Sequence, residues 1–139
     1  MKLHQMLTDL HKVMPFSHLY FEQALTMIQK DGASSANSDV LLKLIGHAES
    51  FAEAYSLRTC LGIHMASWRR HFIGKMARGT KRKELKEYAV ERCRQLGFRP
   101  RNDDEADALG ILDYACDLRG FVPAWRADEV LRPPLTGGA

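Results

Sequence analysis

The sequence predicts an α/β protein, because short apolar runs typical of strands alternate with segments whose apolar residues recur at helical spacing. Glycine, proline and polar residues stand at the boundaries between these segments. The chain has 139 residues, of which 45% are hydrophobic, so it can bury a core. Because only two strands are predicted, the sheet is expected to be partial.

The chain is predicted to begin with a helix and a strand. Apolar residues recur at helical spacing over 2–13, and Pro15 ends that helix. The apolar run over 18–21 favours a short buried strand, with Glu22 at its end. The carboxyl ends of strands are where α/β proteins commonly place functional groups. The alternative is that Glu22 only marks the end of the strand at the surface.

A second helix and a second strand follow a polar loop over 31–38. The amphipathic pattern over 39–55 predicts the helix. Gly46 in the middle of that helix suggests close packing against a neighbour. Residues 58–64 are then predicted to form the second strand.

Three helices are predicted after the second strand. Ser67 is expected to cap a short helix over 68–73. A basic helix over 81–96 follows, and Gly97 closes it. The last predicted helix covers 103–119.

Composition predicts a cytoplasmic protein without a membrane segment. No apolar run approaches the ~20 residues that cross a bilayer, and the first residues lack the apolar centre of a signal peptide. Three cysteines without paired spacing favour free thiols in a reducing compartment. The histidines show no metal-ligand spacing. Residues 1–119 are predicted to form one domain, and residues 120–139, rich in proline and glycine, a loosely held tail.

The formal net charge of +3 hides an uneven distribution. Residues 67–101 carry 12 basic and 3 acidic side chains, which is a net charge of +9. Residues 1–66 carry 5 basic and 6 acidic side chains, and residues 102–139 carry 3 and 8. A basic stretch of this density attracts polyanions, most often nucleic acid. Nucleic acid is therefore the expected partner.

Two aspartates, Asp104 and Asp107, stand three residues apart where the last helix is predicted to begin. At that spacing their side chains share one helix face, with Cβ atoms about 5–6 Å apart. A pair of carboxylates suits a site where a divalent cation meets a phosphate. The competing interpretation is that these acids cap the helix and lie at the positive end of its dipole.

Three motifs occur in a fixed order: a strand ending in Phe21-Glu22-Gln23, a segment over 66–75 that contains Trp68, and the acidic helix start over 103–109. In this order they resemble the RuvC-type Holliday junction resolvases of the ribonuclease H-like superfamily, most closely the shorter phage and prophage relatives. The resemblance covers roughly residues 1–116. It implies a ribonuclease H-like fold, a mixed sheet flanked by helices. Trp68 is interpreted as core packing.

The resemblance implies roles for particular residues. Glu22, Asp104 and Asp107 would be the catalytic carboxylates and would hold Mg²⁺ or Mn²⁺. Asp103 is the alternative to Asp104, because a shift of one residue is not resolved from the sequence. Lys81 would open the basic helix near the DNA backbone. Further contacts with phosphates would come from Arg69, Arg70, Lys75 and Lys83.

One departure from the family concerns its first catalytic residue. The family begins with a three-stranded meander whose first strand carries an aspartate, usually in a Gly-x-Asp-x-Gly context. Nothing here matches that motif, and Asp9 lies in a helical pattern. The N-terminal meander is therefore expected to be absent from this chain, through truncation, splitting or decay of the gene. Catalysis by the chain alone is then expected to be weak.

The resemblance implies a metal-dependent endonuclease of DNA recombination and repair that acts on branched DNA. Two Mg²⁺ ions about 3.5–4 Å apart would stabilise the attacking water and the leaving oxygen of the phosphodiester. A homodimer with two active sites would favour branched substrates. Two alternatives stay open: a non-catalytic nucleic-acid-binding remnant of the same fold, and a small helical interaction protein whose acids are caps and whose basic helix is only solvated.

Overall fold

The computed structural model describes residues 2–24 and 36–127. These residues form five α-helices, two β-strands and a short 3₁₀ helix, so the α/β class predicted from the sequence is confirmed. The paired strands argue against the wholly helical alternative. Among the described residues, no helix combines the length and the apolar character needed to cross a membrane.

The chain divides into two compact units, residues 1–62 and residues 63–139. The prediction of one domain over residues 1–119 stays a prediction. The first unit contains α1 (Lys2–Val13), β1 (His18–Glu22), α2 (Ala36–Ala54) and β2 (Thr59–Ile63), whose last residue already belongs to the second unit.

The strands β1 and β2 form a two-stranded parallel sheet. Both strands and α1 lie where the sequence predicted them, because their apolar patterns are bounded by strong local signals. Pro15 follows α1 closely, as expected for a residue that cannot continue a helix. The helix α2 begins at Ala36, inside the predicted loop over 31–38. The rest of that loop, up to residue 35, lies outside the described residues.

The core of the first unit is an aromatic cluster between α1 and α2. Phe51 of α2 is fully buried. Its ring stacks on Phe16 with a centroid distance of 5.8 Å, and on Tyr55 at 4.5 Å. His11 of α1 meets both Phe51 and Tyr55 edge-on, and its Nδ1 accepts a hydrogen bond from the Phe16 N–H at 3.3 Å. These contacts hold α1 against α2.

The expectation of close packing at Gly46 is wrong. Outside the backbone of its own helix, a Cβ atom built on this residue would meet no atom of residues 2–24 or 36–127 within 4 Å. Gly46 lies on the exposed side of α2. A glycine in a helix therefore does not by itself indicate a packing contact.

The second unit contains α3 (Met65–Phe72), α4 (Arg82–Gln95), α5 (Asp103–Leu118) and a 3₁₀ helix over Ala124–Arg126. The helix α5 packs against both α3 and α4. All three helices cover the ranges predicted from the sequence to within a few residues. Gly97, which was predicted to close α4, has φ of 93° in the left-handed region that glycine adopts freely.

The start of α3 differs from the prediction. His64 is the residue that caps this helix, since its Nδ1 accepts a hydrogen bond from the Ala66 N–H at 3.1 Å. Ser67 already lies inside the first turn, so the expectation that it caps the helix is wrong. The imidazole nitrogen takes the role that a serine hydroxyl commonly has at a helix start.

The core of the second unit lies between α5 and the two helices that pack against it, α3 and α4. Trp68 and Phe72 of α3 are fully buried, which confirms the interpretation of Trp68 as core packing. Gly110 of α5 lies directly against the Trp68 ring. A Cβ atom at this position would be 2.5 Å from Cζ3 of Trp68, closer than side chains can approach. Glycine is therefore what allows α5 to pack this closely against α3.

Part of the predicted tail contacts the second unit. Trp125 donates a hydrogen bond from its indole Nε1 to Asp113 of α5 at 2.8 Å. Its ring also meets Phe98 edge-on, with a centroid distance of 5.2 Å. Trp125 therefore has partners in the second unit, whereas Phe121 and Val122 are 63% and 75% exposed, and the loosely held tail stays a prediction. Residues 128–139 lie outside the described residues.

Candidate functional site

The acidic start of α5 is capped by a residue that the sequence analysis passed over. Asn102 precedes the helix, and its Oδ1 accepts a hydrogen bond from the Glu105 N–H at 2.9 Å. Glu105 in turn accepts from the backbone N–H and from Nε of Arg101, each at 3.0 Å. An asparagine followed three residues later by a glutamate is a known helix-start signal and could have predicted this cap. The helix therefore does not need Asp104 as its cap.

Asp103 and Asp104 lie in different surroundings. The ammonium group of Lys86 in α4 pairs with the Asp103 carboxylate and, as its hydrogen-bond donor, lowers the pKa of that carboxyl. Asp104 is exposed and makes no hydrogen bond or ion pair with the described residues. This difference favours Asp104 over Asp103 as a ligand for a cation.

Asp107 is half-buried on the same helix as Asp104. Its negative charge acts on Cys93 in α4, whose thiol is fully buried. Burial first, and then the charges of Asp107 and Asp113, raise the pKa of Cys93 to about 12. A thiol with so high a pKa is not a nucleophile at neutral pH, so Cys93 is a core residue.

The three predicted carboxylates come from both units. Glu22 is the last residue of β1 in the first unit, as predicted, whereas Asp104 and Asp107 belong to the second unit. Within residues 2–24 and 36–127, no three His, Cys, Asp or Glu side chains form a group that could hold a metal ion. The convergence of Glu22, Asp104 and Asp107 therefore stays a prediction.

Four of the five predicted phosphate contacts are exposed basic side chains. In the part of the chain that the structure describes, none of the four forms an ion pair. The fifth, Arg69, is half-buried: its guanidinium lies 5.4 Å from the centre of the Trp68 ring, and Nη1 donates to Sδ of Met65 at 3.2 Å. The four exposed residues, called the basic surface below, are Arg70, Lys75, Lys81 and Lys83.

Other basic residues of the segment over 67–101, which carries the net charge of +9, have partners inside the second unit. Arg94 pairs with Glu91 at 3.6 Å, and Lys86 pairs with Asp103. Arg92 is fully buried, and its Nε donates to the Phe72 carbonyl oxygen at 2.9 Å. A count of charges along the sequence does not separate these paired residues from the basic surface.

A buried polar cluster in the second unit was missed by the sequence analysis. Asp113 of α5 is only 2% exposed. It accepts from Nε of Arg126 at 2.7 Å and from Nε1 of Trp125 at 2.8 Å, and its Oδ2 lies 3.2 Å from Nε2 of His71. One signal was available in the sequence: Asp113 is a charged residue on the same buried face of α5 as Gly110, and a buried charge needs hydrogen-bond partners. The partners themselves could not be predicted, because they are remote in sequence.

The hydrogen bonds to Asp113 control its protonation. Burial alone would raise the pKa of this carboxyl, but the hydrogen bonds from Arg126, His71 and Trp125 outweigh burial. The pKa of Asp113 therefore lies well below its usual range, and the group is ionised at neutral pH. The cluster ties residues 125–126 to α5 and α3, which is a structural role.

No family model, curated protein or solved structure matches this chain. The class that its fold defines is α/β. Any more specific function is therefore inferred from the side chains and from the resemblance of the motifs.

Proposed function

We propose that this chain is a ribonuclease H-like domain of RuvC type that binds the backbone of branched DNA and contributes carboxylates to its metal-dependent hydrolysis. The observation that carries the proposal is the basic surface, whose four side chains are exposed and form no ion pair with the described residues. The order of helices and strands, with Glu22 at the end of β1 and the aspartates at the start of α5, agrees with the motif order of that family.

Exposed cations without carboxylate partners are suited to phosphate binding. Each phosphate that they neutralise releases condensed counterions from the DNA, so the affinity falls steeply as salt rises. Such contacts do not read the base sequence. We therefore expect binding that depends on the shape and charge of the DNA backbone.

Replacing the basic surface with alanine is expected to weaken DNA binding on the order of a thousandfold at 0.1 M salt, because about four phosphate contacts are lost. The variant carries Arg70→Ala, Lys75→Ala, Lys81→Ala and Lys83→Ala. The measurement is the fluorescence anisotropy of a labelled four-way junction titrated with each protein.

A control variant of the first unit removes the same charge. It replaces four exposed basic residues with alanine: Lys2, Lys12, Lys43 and Arg58. We expect this control to keep most of the affinity. Equal weakening by both variants would show that only net charge matters and would contradict a defined basic surface.

The proposed hydrolysis depends on carboxylates of this chain. Glu22, Asp104 and Asp107 would hold Mg²⁺ or Mn²⁺, since carboxylate oxygens are ligands that these hard cations prefer. A bound metal would lower the pKa of a coordinated water and stabilise the leaving oxygen. The basic surface would hold the DNA backbone by its phosphates. A homodimer, with two such sites, would favour branched DNA.

This chain alone is expected to cleave a four-way junction only weakly in the presence of Mg²⁺, and Asp107→Asn or Asp104→Asn is expected to abolish that cleavage. Asp103→Asn is the matched control and is expected to keep cleavage, because Asp103 pairs with Lys86. The assay is gel analysis of the labelled junction with Mg²⁺ or with a chelator. Cleavage that survives Asp107→Asn would contradict the assigned ligand.

A second candidate function is non-catalytic DNA binding, which requires only the basic surface. Tight binding of junctions without cleavage by the wild-type chain would favour this candidate. The same anisotropy and cleavage assays therefore separate the two functions.

A further inference from the structure

An open groove of about 690 Å³ runs along α4 and reaches the start of α5. It lies entirely within the second unit. Its lining includes Tyr88 and the basic residues Lys83, Lys86 and Arg94, together with three acidic residues, one of which is Asp103. Asp103 stands directly before Asp104, so the groove adjoins one of the proposed carboxylates.

Tyr88 is the aromatic residue of this groove. Its ring makes no ring contact and its hydroxyl no hydrogen bond with the described residues. Most other aromatic rings of the second unit pack in pairs: Trp68 with Phe72, His71 with Tyr114, and Phe98 with Trp125. Phe121 is 63% exposed and pairs with no ring of the described residues, but it does not line this groove. A half-buried aromatic ring that lines an open groove offers a face on which a planar group can stack.

The charges around the groove favour a base over a phosphate inside it. Three basic side chains are balanced by three acidic ones, Glu87, Glu91 and Asp103, so the lining has no net charge. Lys83 forms no ion pair with the described residues and belongs to the basic surface. A groove without net charge and with an aromatic wall is suited to an uncharged nucleobase. The Lys83 ammonium group could then bind the phosphate next to that base, outside the groove.

We propose that this groove binds an unpaired nucleobase of DNA, stacked on Tyr88, with the adjoining phosphate held by Lys83. The inference rests on the proposed DNA binding and adds to it a preference for unpaired bases. In a duplex each base is stacked between its neighbours and is not available to the groove. Open branch points and single strands present such bases.

The test uses a single-stranded oligonucleotide that carries the fluorescent base 2-aminopurine, and a duplex of the same length. Binding of the wild-type chain to the single strand is expected to quench the fluorescence through stacking. Tyr88→Leu should remove the quenching and weaken single-strand binding about tenfold, as for loss of one stacked base. Duplex affinity should not change, and Tyr88→Phe should behave like the wild-type protein because it keeps the ring.

Several results would overturn the inference. Single-strand binding by the wild-type chain without quenching would do so, whatever the variants show. Equal loss of single-strand and duplex affinity in Tyr88→Leu would indicate a structural role for the ring. Duplex binding through the basic surface would still support the proposed function in both cases. Absence of DNA binding by the wild-type chain would instead refute the proposed function, and the inference with it.

Discussion

Replacing Arg126 with alanine is expected to lower the free energy of unfolding by about 3–5 kcal/mol, because it leaves a buried carboxylate without its cation. The Asp113 side chain is 1% exposed and the Arg126 side chain 9% exposed. Neither group can regain full hydration while the native fold persists. The measurement is urea unfolding of the variant and of the wild-type chain.

The matched control is Arg101→Ala, which also breaks an arginine–carboxylate pair. In the pair between Arg101 and Glu105 the side chains are 89% and 38% exposed. Solvent screens such a pair, so we expect a loss of at most about 1 kcal/mol. Similar losses in the two variants would contradict the importance assigned to the buried pair.

The buried pair should also be visible in the pH dependence of stability. The folded-state pKa of Asp113 lies below its unfolded value of about 3.9. The stability that this group contributes is therefore present above pH of about 4 and is lost as pH falls toward the folded-state pKa. In Arg126→Ala the loss of stability on acidification should be smaller.

Replacing Gly110 with alanine is expected to lower the free energy of unfolding by about 2–3 kcal/mol, since the added methyl overpacks the core. The new Cβ would lie 2.5 Å from Cζ3 and 2.7 Å from Cε3 of the fully buried Trp68 ring. The helix α5 must then move away from α3. Thermal and urea unfolding both measure the effect.

Gly46→Ala is the matched control, because it adds the same methyl to another helix. Apart from the backbone of α2 itself, the part of the chain that the structure describes places no atom within 4 Å of the new Cβ. Alanine is the better helix former, so we expect stability to rise by about 1 kcal/mol. A change of the same sign in both variants would contradict the packing described for Gly110.

The helices and strands could be predicted because their signals are local. Apolar periodicity and Pro15 define the first helix. Gly97 ends α4 in the left-handed backbone conformation that glycine adopts readily. Two local predictions failed for different reasons. His64 caps α3 in place of Ser67 through a local hydrogen bond, because an imidazole nitrogen can act as the acceptor that a serine hydroxyl commonly provides. Whether Gly46 has a close neighbour depends on the three-dimensional surroundings of α2, which its local sequence does not reveal.

The candidate site was predicted less completely than the fold. Sequence spacing placed Asp104 and Asp107 together at the start of α5, and the helix is there. The spacing of residues along the sequence did not reveal that Lys86 forms an ion pair with Asp103, because the two residues lie on different helices. The contact between Asp113 and Arg126 was missed for the same reason: the 3₁₀ helix had no apolar periodicity to predict it.

The number of charged residues could be counted from the sequence. Which basic side chains are exposed and free to bind a phosphate could not be predicted from it. The segment over 67–101 carries a net charge of +9, yet Arg92 is buried in the core and Arg94 is paired with Glu91. The structure separates these residues from the basic surface. That separation is what makes the DNA-binding proposal specific enough to test.

The salt dependence of DNA affinity tests the central claim most directly. A plot of the logarithm of the association constant against the logarithm of salt concentration should have a negative slope in the wild-type chain. Removal of the four side chains of the basic surface should reduce the size of that slope by about 3 to 4, which is about 0.9 for each lost phosphate contact. The control variant of the first unit should keep the wild-type slope. An unchanged slope after removal of the basic surface would contradict the account.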